Sequence, residues 1–408
     1  MWNLFKLSIR NVFRNRGRSG LTMGAIGFGV FFTMLIGSFI EGLGNVMIDD
    51  IVLGKTGALQ VHRKGYDDVR ENQPLDLDFD DKGKEVKLVQ TAPGVRAVSG
   101  RIIFGGLLNN GSQSTMFQGT AYDPKQEFVA LPWAKFGLAG KAVGDDPQRP
   151  NGAVLGEQLS AAMQLAPGTV ATLQAATREG RQNALDLDIL GVQNNGNAFE
   201  AQRLVNVPLV FAQDLLGMKG RVTELAVALK DREQIEEVAA DLRSRLGPEW
   251  EVQTWMQLRP NVADVVRFQK QILMVIAVVF LVIAVIGVVN TMLMAVLERT
   301  REIGTMMAVG VRRGRITYLF LLEGLALAAI GGTAGIALAG GIVWVIAGRG
   351  GLASTAPGST AVYHIIPAMP LSLVLPTFLA ATLGTLAAAA WPAWRAARLN
   401  PVDALRAL

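Results

Sequence analysis

The chain has 408 residues and a formal net charge of +5; half of it is hydrophobic and only 18% is charged, against about 25% in ordinary globular proteins. That balance excludes a disordered chain and disfavours a simple soluble enzyme. The absence of cysteine excludes disulfides, thiolate metal sites and cysteine nucleophiles, and two histidines, His62 and His364, leave little for zinc.

Residues 1–20 carry Lys6, Arg10, Arg14, Arg16 and Arg18 with no acid. Leu4, Leu7 and Val12 or Phe13 recur at helical spacing opposite Arg10 and Arg14, so the segment reads as an amphipathic helix on the cytoplasmic surface. A first membrane span, residues 21–41, follows from the uncharged run Leu21 to Ile40, because a bilayer core takes about 20 apolar helical residues. The run is longer than the ~7–15 residues of a signal-peptide core, and no A-x-A-like site follows it, so the span reads as retained.

Residues 42–270 change to the composition of a soluble domain, with 25 Lys and Arg against 29 Asp and Glu. Short β-like runs occur at Ala58 to His62, Val95 to Ile103, Ser114 to Gln118, Val170 to Leu173, Leu185 to Val192 and Leu204 to Val210, punctuated by Gly and Pro. Helices are expected at Gly156 to Gln164 and at Asp231 to Leu246, whose acidic first turn and late Arg243 and Arg245 suit the helix dipole. The mixture predicts an α+β domain. Gly54-Lys55-Thr56 imitates the end of a phosphate loop, but Asp49, Asp50 and Ile51 stand where the required first glycine would be sought. His62 reads as a surface strand histidine, and the pairs Asp67-Asp68 and Asp80-Asp81 as solvated loop charges. No catalytic residue, metal site or nucleic-acid partner is expected.

Three further spans are expected at 271–297, 316–347 and 371–394, joined by a cytoplasmic segment 298–315 and a periplasmic loop 348–370, and followed by a tail 395–408. Arg299, Arg301, Arg312, Arg313 and Arg315 collect in the first of these connections, and Arg395, Arg398 and Arg406 in the tail. With the basic N-terminus they place both termini inside and residues 42–270 outside. Glu323 interrupts the third span and should face a neighbouring helix, a cavity or the cytoplasmic end of the bundle. Gly331-x-x-x-Gly335 permits close helix approach, in a dimer or within the chain. Trp391 and Trp394 read as interfacial anchors.

Segment 298–310 reads Glu298-Arg299-Thr300-Arg301-Glu302-Ile303-Gly304-Thr305-Met306-Met307-Ala308-Val309-Gly310. It predicts a short helix with chargeable pairs and a glycine end. Ile303, Met306, Met307 and Val309 are expected to be exposed apolar residues awaiting a partner.

This string resembles the MacB/FtsX-like permease family of ABC transporters, which includes the lipoprotein-releasing LolC and LolE proteins. Leu7-Ser8-Ile9-Arg10-Asn11 with Arg18-Ser19-Gly20-Leu21-Thr22, and Pro392-Ala393 with Asn400-Pro401-Val402-Asp403-Ala404-Leu405-Arg406, agree with it. Trp255 to Lys270 and Gly57-Ala58-Leu59-Gln60-Val61-His62 look like the lipoprotein-release branch. The resemblance implies an inner-membrane subunit of four transmembrane helices, with an α+β periplasmic domain between the first and second. It would pair with a second permease copy or paralogue and a separate cytoplasmic ATPase dimer that holds ATP and Mg. Glu298, Arg299, Arg301, Glu302, Ile303, Gly304, Met307, Ala308 and Gly310 would form the helix coupled to that ATPase, while Glu323, Gly331 and Gly335 would pack the spans.

The expected function is ATP-driven extraction of a lipoprotein or other amphipathic substrate from the inner membrane, with a periplasmic carrier or outer-membrane duct receiving it. MacB-like efflux of drugs, toxins or peptides is the alternative, and FtsX-like signalling to a periplasmic hydrolase the third. One departure bears on the choice. Where the carrier-recruiting permease has a long hairpin arm, this chain has only Thr177 to Asn183.

Overall fold

The structure, a computed structural model, describes residues 10, 16–194, 196–355 and 362–400. Most of the expected amphipathic segment 1–20 and the final residues 401–408 lie outside the described residues. The chain divides into two compact units, one built from residues up to 44, 265–352 and 364 onward, the other from 45–264 and 353–363.

Helix α1 (Arg16–Gly54) continues past Glu41, where the uncharged run ends. No proline interrupts Gly42 to Leu53, and Ile51 and Val52 gain burial in the core of the second unit by staying helical. The expected limit at residues 41–42 therefore falls inside a helix.

The second unit contains strands β1 (Leu59–Arg63), β2 (Phe79–Asp80), β3 (Val95–Asn109), β4 (Ser114–Tyr122), β5 (Leu138–Gly140), β6 (Gly152–Gly156), β7 (Val170–Ala176), β8 (Gln182–Gln193), β9 (Leu204–Pro208), β10 (Arg221–Val222), β11 (Glu224–Leu229) and β12 (Trp250–Thr254). Among them stand helices α2 (Lys84–Gln90), α3 (Pro124–Ala130), α4 (Glu157–Met163), α5 (Leu209–Leu216) and α6 (Ile235–Leu246). The main sheet runs β12-β1-β11-β3-β4-β9-β6-β8-β5. Strand β7 pairs with both β3 and β8, which closes β3, β4, β9, β6, β8 and β7 into a ring. Side chains alternate across each strand, so Phe104, Phe117, Leu155, Leu173, Ile189 and Val205 all fill the inside of this ring. A second core lies between β1, β11, β12 and helices α2 and α6, around Leu59, Val86, Val227, Leu242 and Val252.

Two expected elements differ. The strand expected to reach Val210 stops at Pro208, and α5 starts at Leu209. Phe211, Ala212, Leu215 and Leu216 recur with helical period and are buried in the ring core, which outweighs the β-branched Val210. The helix expected from Asp231 begins as a single 3₁₀ turn, Arg232–Gln234, capped by the Asp231 carboxylate, which accepts from the Glu233 N–H, and becomes α-helical at Ile235.

The first unit is helical: the early part of α1 packs with α7 (Pro260–Glu298), α8 (Thr300–Ala308), α9 (Arg313–Gly348) and α10 (Leu371–Ala397). Helices α1, α7, α9 and α10 are long and apolar enough to cross a membrane. Proline at the first position of α7, where its missing N–H costs nothing, starts that helix eleven residues before the uncharged run. Between α9 and α10, β13 (Leu352–Thr355) pairs with β14 (Val362–Ile365). The bundle interior is filled by Ile26, Val30, Met34, Val288, Met292 and Phe320 with alanines of α10.

Candidate coupling site

Helix α7 ends at Glu298, and one residue, Arg299, separates it from α8 with φ −102° and ψ 14°. The Thr300 hydroxyl donates back to the carbonyls of Val296 and Leu297 at 3.1 and 2.8 Å, which satisfies groups freed by the break. At the far end Gly310 has φ +93°, a region open to glycine at little cost. Its N–H donates to the Met307 carbonyl and that of Val311 to the Met306 carbonyl, both at 3.0 Å, the paired closure that stops a helix sharply. Arg312 is extended and α9 starts at Arg313. The segment is thus a two-turn helix with defined ends.

Its two sides differ in a way that corrects the sequence expectation. Ile303 is 1% exposed and Gly304 is buried; Met306 and Met307 are half-buried against the same core, which includes Ala393, Ala396 and Ala397 of α10. Of the four apolar residues expected to be exposed, only Val309 is, at 82%. The bundle itself consumes the apolar side of α8. Facing outward are Arg301, Glu302, Thr305, Ala308 and Val309, spaced so that 301, 305 and 308 share one face with 302 and 309 beside them. Glu298 is also exposed.

Arg299 points inward. Its guanidinium lies 3.3 Å from the Glu323 carboxylate of α9, and both residues are buried. A charge in an apolar helix needs such a partner, since an unpaired buried ion costs several kcal/mol. Further along α9, Gly331 and Gly335 meet α1 backbone to backbone. A Cβ on Gly331 would lie 2.7 Å from the Met23 carbonyl oxygen, one on Gly335 would collide with the Gly27 carbonyl, and one on Gly27 would lie 2.9 Å from the Gly331 carbonyl. The three glycines are what let the two helices approach this closely. At the end of α10, the Arg395 and Arg398 guanidinia sit 5.9 and 3.9 Å from the ring centres of Trp391 and Trp394.

In the α/β unit, His62 is fully buried, contrary to the expectation of a surface histidine. Strand β1 lies between β11 and β12, which cover both of its edges, and the Tyr66 ring covers His62 at 5.0 Å. The His62 Nε2 is 3.3 Å from Gln253 and its Nδ1 3.6 Å from Glu251. Among the described residues no group of three or more His, Asp or Glu is arranged to hold a metal ion. Asp67, Asp68 and Asp80 are exposed and Asp81 half-buried. Lys55 and Thr56 close the end of α1, both N–H groups donating to the Ile51 carbonyl. The hairpin between β7 and β8 turns through Thr177 to Arg181, tied by the Thr177 N–H to the Arg181 carbonyl at 2.7 Å.

Sequence reasoning missed that Arg299 and Glu323 are partners. Each was visible alone, as an arginine at a helix end and a lone acid in an apolar run, but 24 residues separate them.

A family model described as the FtsX-like permease C-terminal domain matches residues 274–401, and one described as the MacB-like periplasmic core domain matches residues 19–245. The chain is 33% identical over 207 residues to the macrolide export ATP-binding/permease protein MacB of Hyphomonas neptunium, a match covering 49% of this chain and 30% of that protein. It is 24% identical over 414 residues to the protein of the same name from Neisseria gonorrhoeae, covering 98% and 60%. The chain thus spans at most 60% of the length of these two relatives. A crystal structure of the periplasmic region of MacB from Actinobacillus actinomycetemcomitans matches with 13% identity and a TM-score of 0.35 over 50% of this chain and 92% of that one.

Proposed function

Because the chain belongs to the MacB/FtsX-like permease family of ABC transporters, we propose that it is the membrane lever of an exporter: ATP hydrolysis in a partner ATPase dimer moves α8, and the spans carry that movement to the inserted α+β domain. The observation that carries this reading is the two-sided build of α8. Its inner side is packed into the bundle, and its outer side offers Arg301, Glu302, Thr305 and Val309 as a compact docking face. ATP and its magnesium are held by the ATPase. The chain acts with a second permease copy or paralogue, both termini on the cytoplasmic side and the α+β domain outside the inner membrane.

For the cargo we favour MacB-like efflux of an amphipathic drug, toxin or peptide. The relatives are named as macrolide exporters, and the five-residue turn Thr177 to Arg181 is too short to serve as an arm that grips a carrier. Lipoprotein extraction is the second reading, supported by the resemblance of Gly57 to His62 and Trp255 to Lys270 to that branch.

The test is affinity purification of the tagged protein from its native membrane in mild detergent, with mass spectrometry of what accompanies it. A P-loop ATPase is expected, and it should be lost from the double variant Glu302→Lys, Val309→Asp, at two exposed positions of α8, with a melting curve checking that the variant is folded. Wild type without an ATPase, or a double variant that retains it, would remove the lever reading. An outer-membrane duct in the eluate supports efflux, whereas a different permease with acylated proteins supports lipoprotein release.

A further inference from the structure

The outer wall of the six-stranded ring carries a cleft of about 530 Å³, inside the ~300–1,000 Å³ range of small-molecule sites. Strand β4 shows how it is built. Phe117 and Ala121 fill the ring core, while the alternate residues Gln118, Thr120 and Tyr122 line the cleft. In register beside them, Asn206 of β9 pairs with Thr120, and Arg101 of β3 with Tyr122.

Four of the five carboxylates lining this cleft lie against its three cations, and the fifth, Asp67, accepts from Gln253 at 3.1 Å. Arg101 is 5% exposed, bonds both carboxylate oxygens of Glu127, lies 3.8 Å from Glu224 and donates to the Lys55 carbonyl at 2.5 Å. Lys55 stands 3.4 Å from Asp50 and 3.1 Å from Glu200, which also meets Arg259 at 3.3 Å. Each guanidinium and ammonium already has its carboxylate.

The further hydrogen-bonding groups that the strands turn into the cleft are neutral. Tyr122 is 5% exposed and its hydroxyl has no hydrogen-bond partner among the described residues. The same holds for the Thr120 hydroxyl and the Gln118 amide, and Asn206 donates to Gln193 at 3.1 Å while its side-chain carbonyl receives no donor. A polar group buried without a partner costs about 1–3 kcal/mol; Tyr122 and Asn206 are buried residues, Thr120 is half-buried and Gln118 exposed, so an occupant that hydrogen-bonds gains most at the first two. Burial, with the Glu127 carboxylate behind it, pushes the Tyr122 hydroxyl pKa up, which keeps it a neutral donor.

We propose that this cleft binds a neutral polyhydroxylated ligand of saccharide type. Hydroxyls both donate and accept, and so do Tyr122, Thr120 and Gln118, with Asn206 supplying a further acceptor. An anion would find each of Arg101, Lys55 and Arg259 already matched by a carboxylate, and a cation would have to compete with them for four of the five lining carboxylates or take Asp67 from Gln253, an outcome the spermidine titration below reads. Trp133 in the lining adds apolar ring surface for the C–H face of a sugar. The inference does not rest on the export reading, since binding is a property of this chain alone.

The test is titration of the full-length protein in detergent with maltose, trehalose and N,N′-diacetylchitobiose, read by saturation-transfer NMR of the sugar and by tryptophan fluorescence. Saturable binding of at least one is expected, weakened about tenfold by losing a hydrogen bond of roughly 1.4 kcal/mol in Tyr122→Phe and again in Thr120→Val. Phenylalanine keeps the ring packing against Phe128, and valine keeps the volume of threonine. Melting curves identify any variant that fails to fold; Gln118→Ala, at an exposed position, replaces it. The proposal is overturned if no neutral saccharide binds saturably, if the folded variants bind like wild type, or if spermidine or inorganic phosphate occupies the cleft in preference to the sugars.

Discussion

Arg299, at the break between α7 and α8, and Glu323, in the first third of α9, form an ion pair of 3.3 Å with side chains only 10% and 7% exposed. The contact ties the start of the coupling helix to a different span. Displacement of α8 must either drag α9 with it or break a buried charge pair. Removing one partner takes a charged contact from a buried ion, and breaking such buried pairs costs roughly 3 kcal/mol or more. Glu323→Ala should therefore lower the melting temperature in detergent markedly, and the swap Arg299→Glu with Glu323→Arg should recover part of it. Equal stability of single and swapped variants would argue against the pair.

The close approach of α1 and α9 predicts an asymmetric response to added bulk. Gly335→Val places a side chain against the Gly27 carbonyl, where there is no space, whereas a Cβ at Gly341 meets nothing within 4 Å. Overpacking costs typically about 1–3 kcal/mol, so Gly335→Val should melt well below wild type and Gly341→Ala close to it. Comparable melting of the two would contradict the glycine contact.

Glu200 gives the α/β unit an acid-side dependence. Burial pushes its carboxyl up, but Lys55 and Arg259 together outweigh burial and hold it below the ordinary 4.5. A depressed carboxylate contributes stability that is fully present above its unfolded value and is lost as pH falls through its folded value. Wild type should therefore lose stability below about pH 4.5 more steeply than Glu200→Gln, as read by thermal melts across that range. Parallel curves would mean the two cations do not stabilise the ionised form.

The lack of native cysteine makes orientation directly measurable. Ser112, at the exposed turn between β3 and β4, and Thr305, on the outer face of α8, can each be replaced by cysteine without a background thiol. With the α+β domain outside, a membrane-impermeant maleimide should label Ser112→Cys in intact spheroplasts and Thr305→Cys only after permeabilisation. The reverse pattern would invert the topology drawn from the arginine distribution.

The sequence by itself determined the four spans, the inserted α+β domain and the helix between Glu298 and Gly310. Each depends on contiguous residues: about 20 apolar positions suit a bilayer wherever they lie, and a glycine such as Gly310 ends a helix through its own φ. It could not determine which way those elements face. By its local sequence Ile303 reads as a docking residue, yet it packs in the core that holds the alanines of α10; His62 reads as a surface residue, yet Tyr66 covers it and two strands flank it. Gln118, Thr120 and Tyr122 become the wall of a cleft only through the pairing of β4 with β3 and β9, which brings Arg101 and Asn206 alongside. Burial and pairing are relations through space between residues far apart in the chain, and local hydropathy carries no information about which of them will meet.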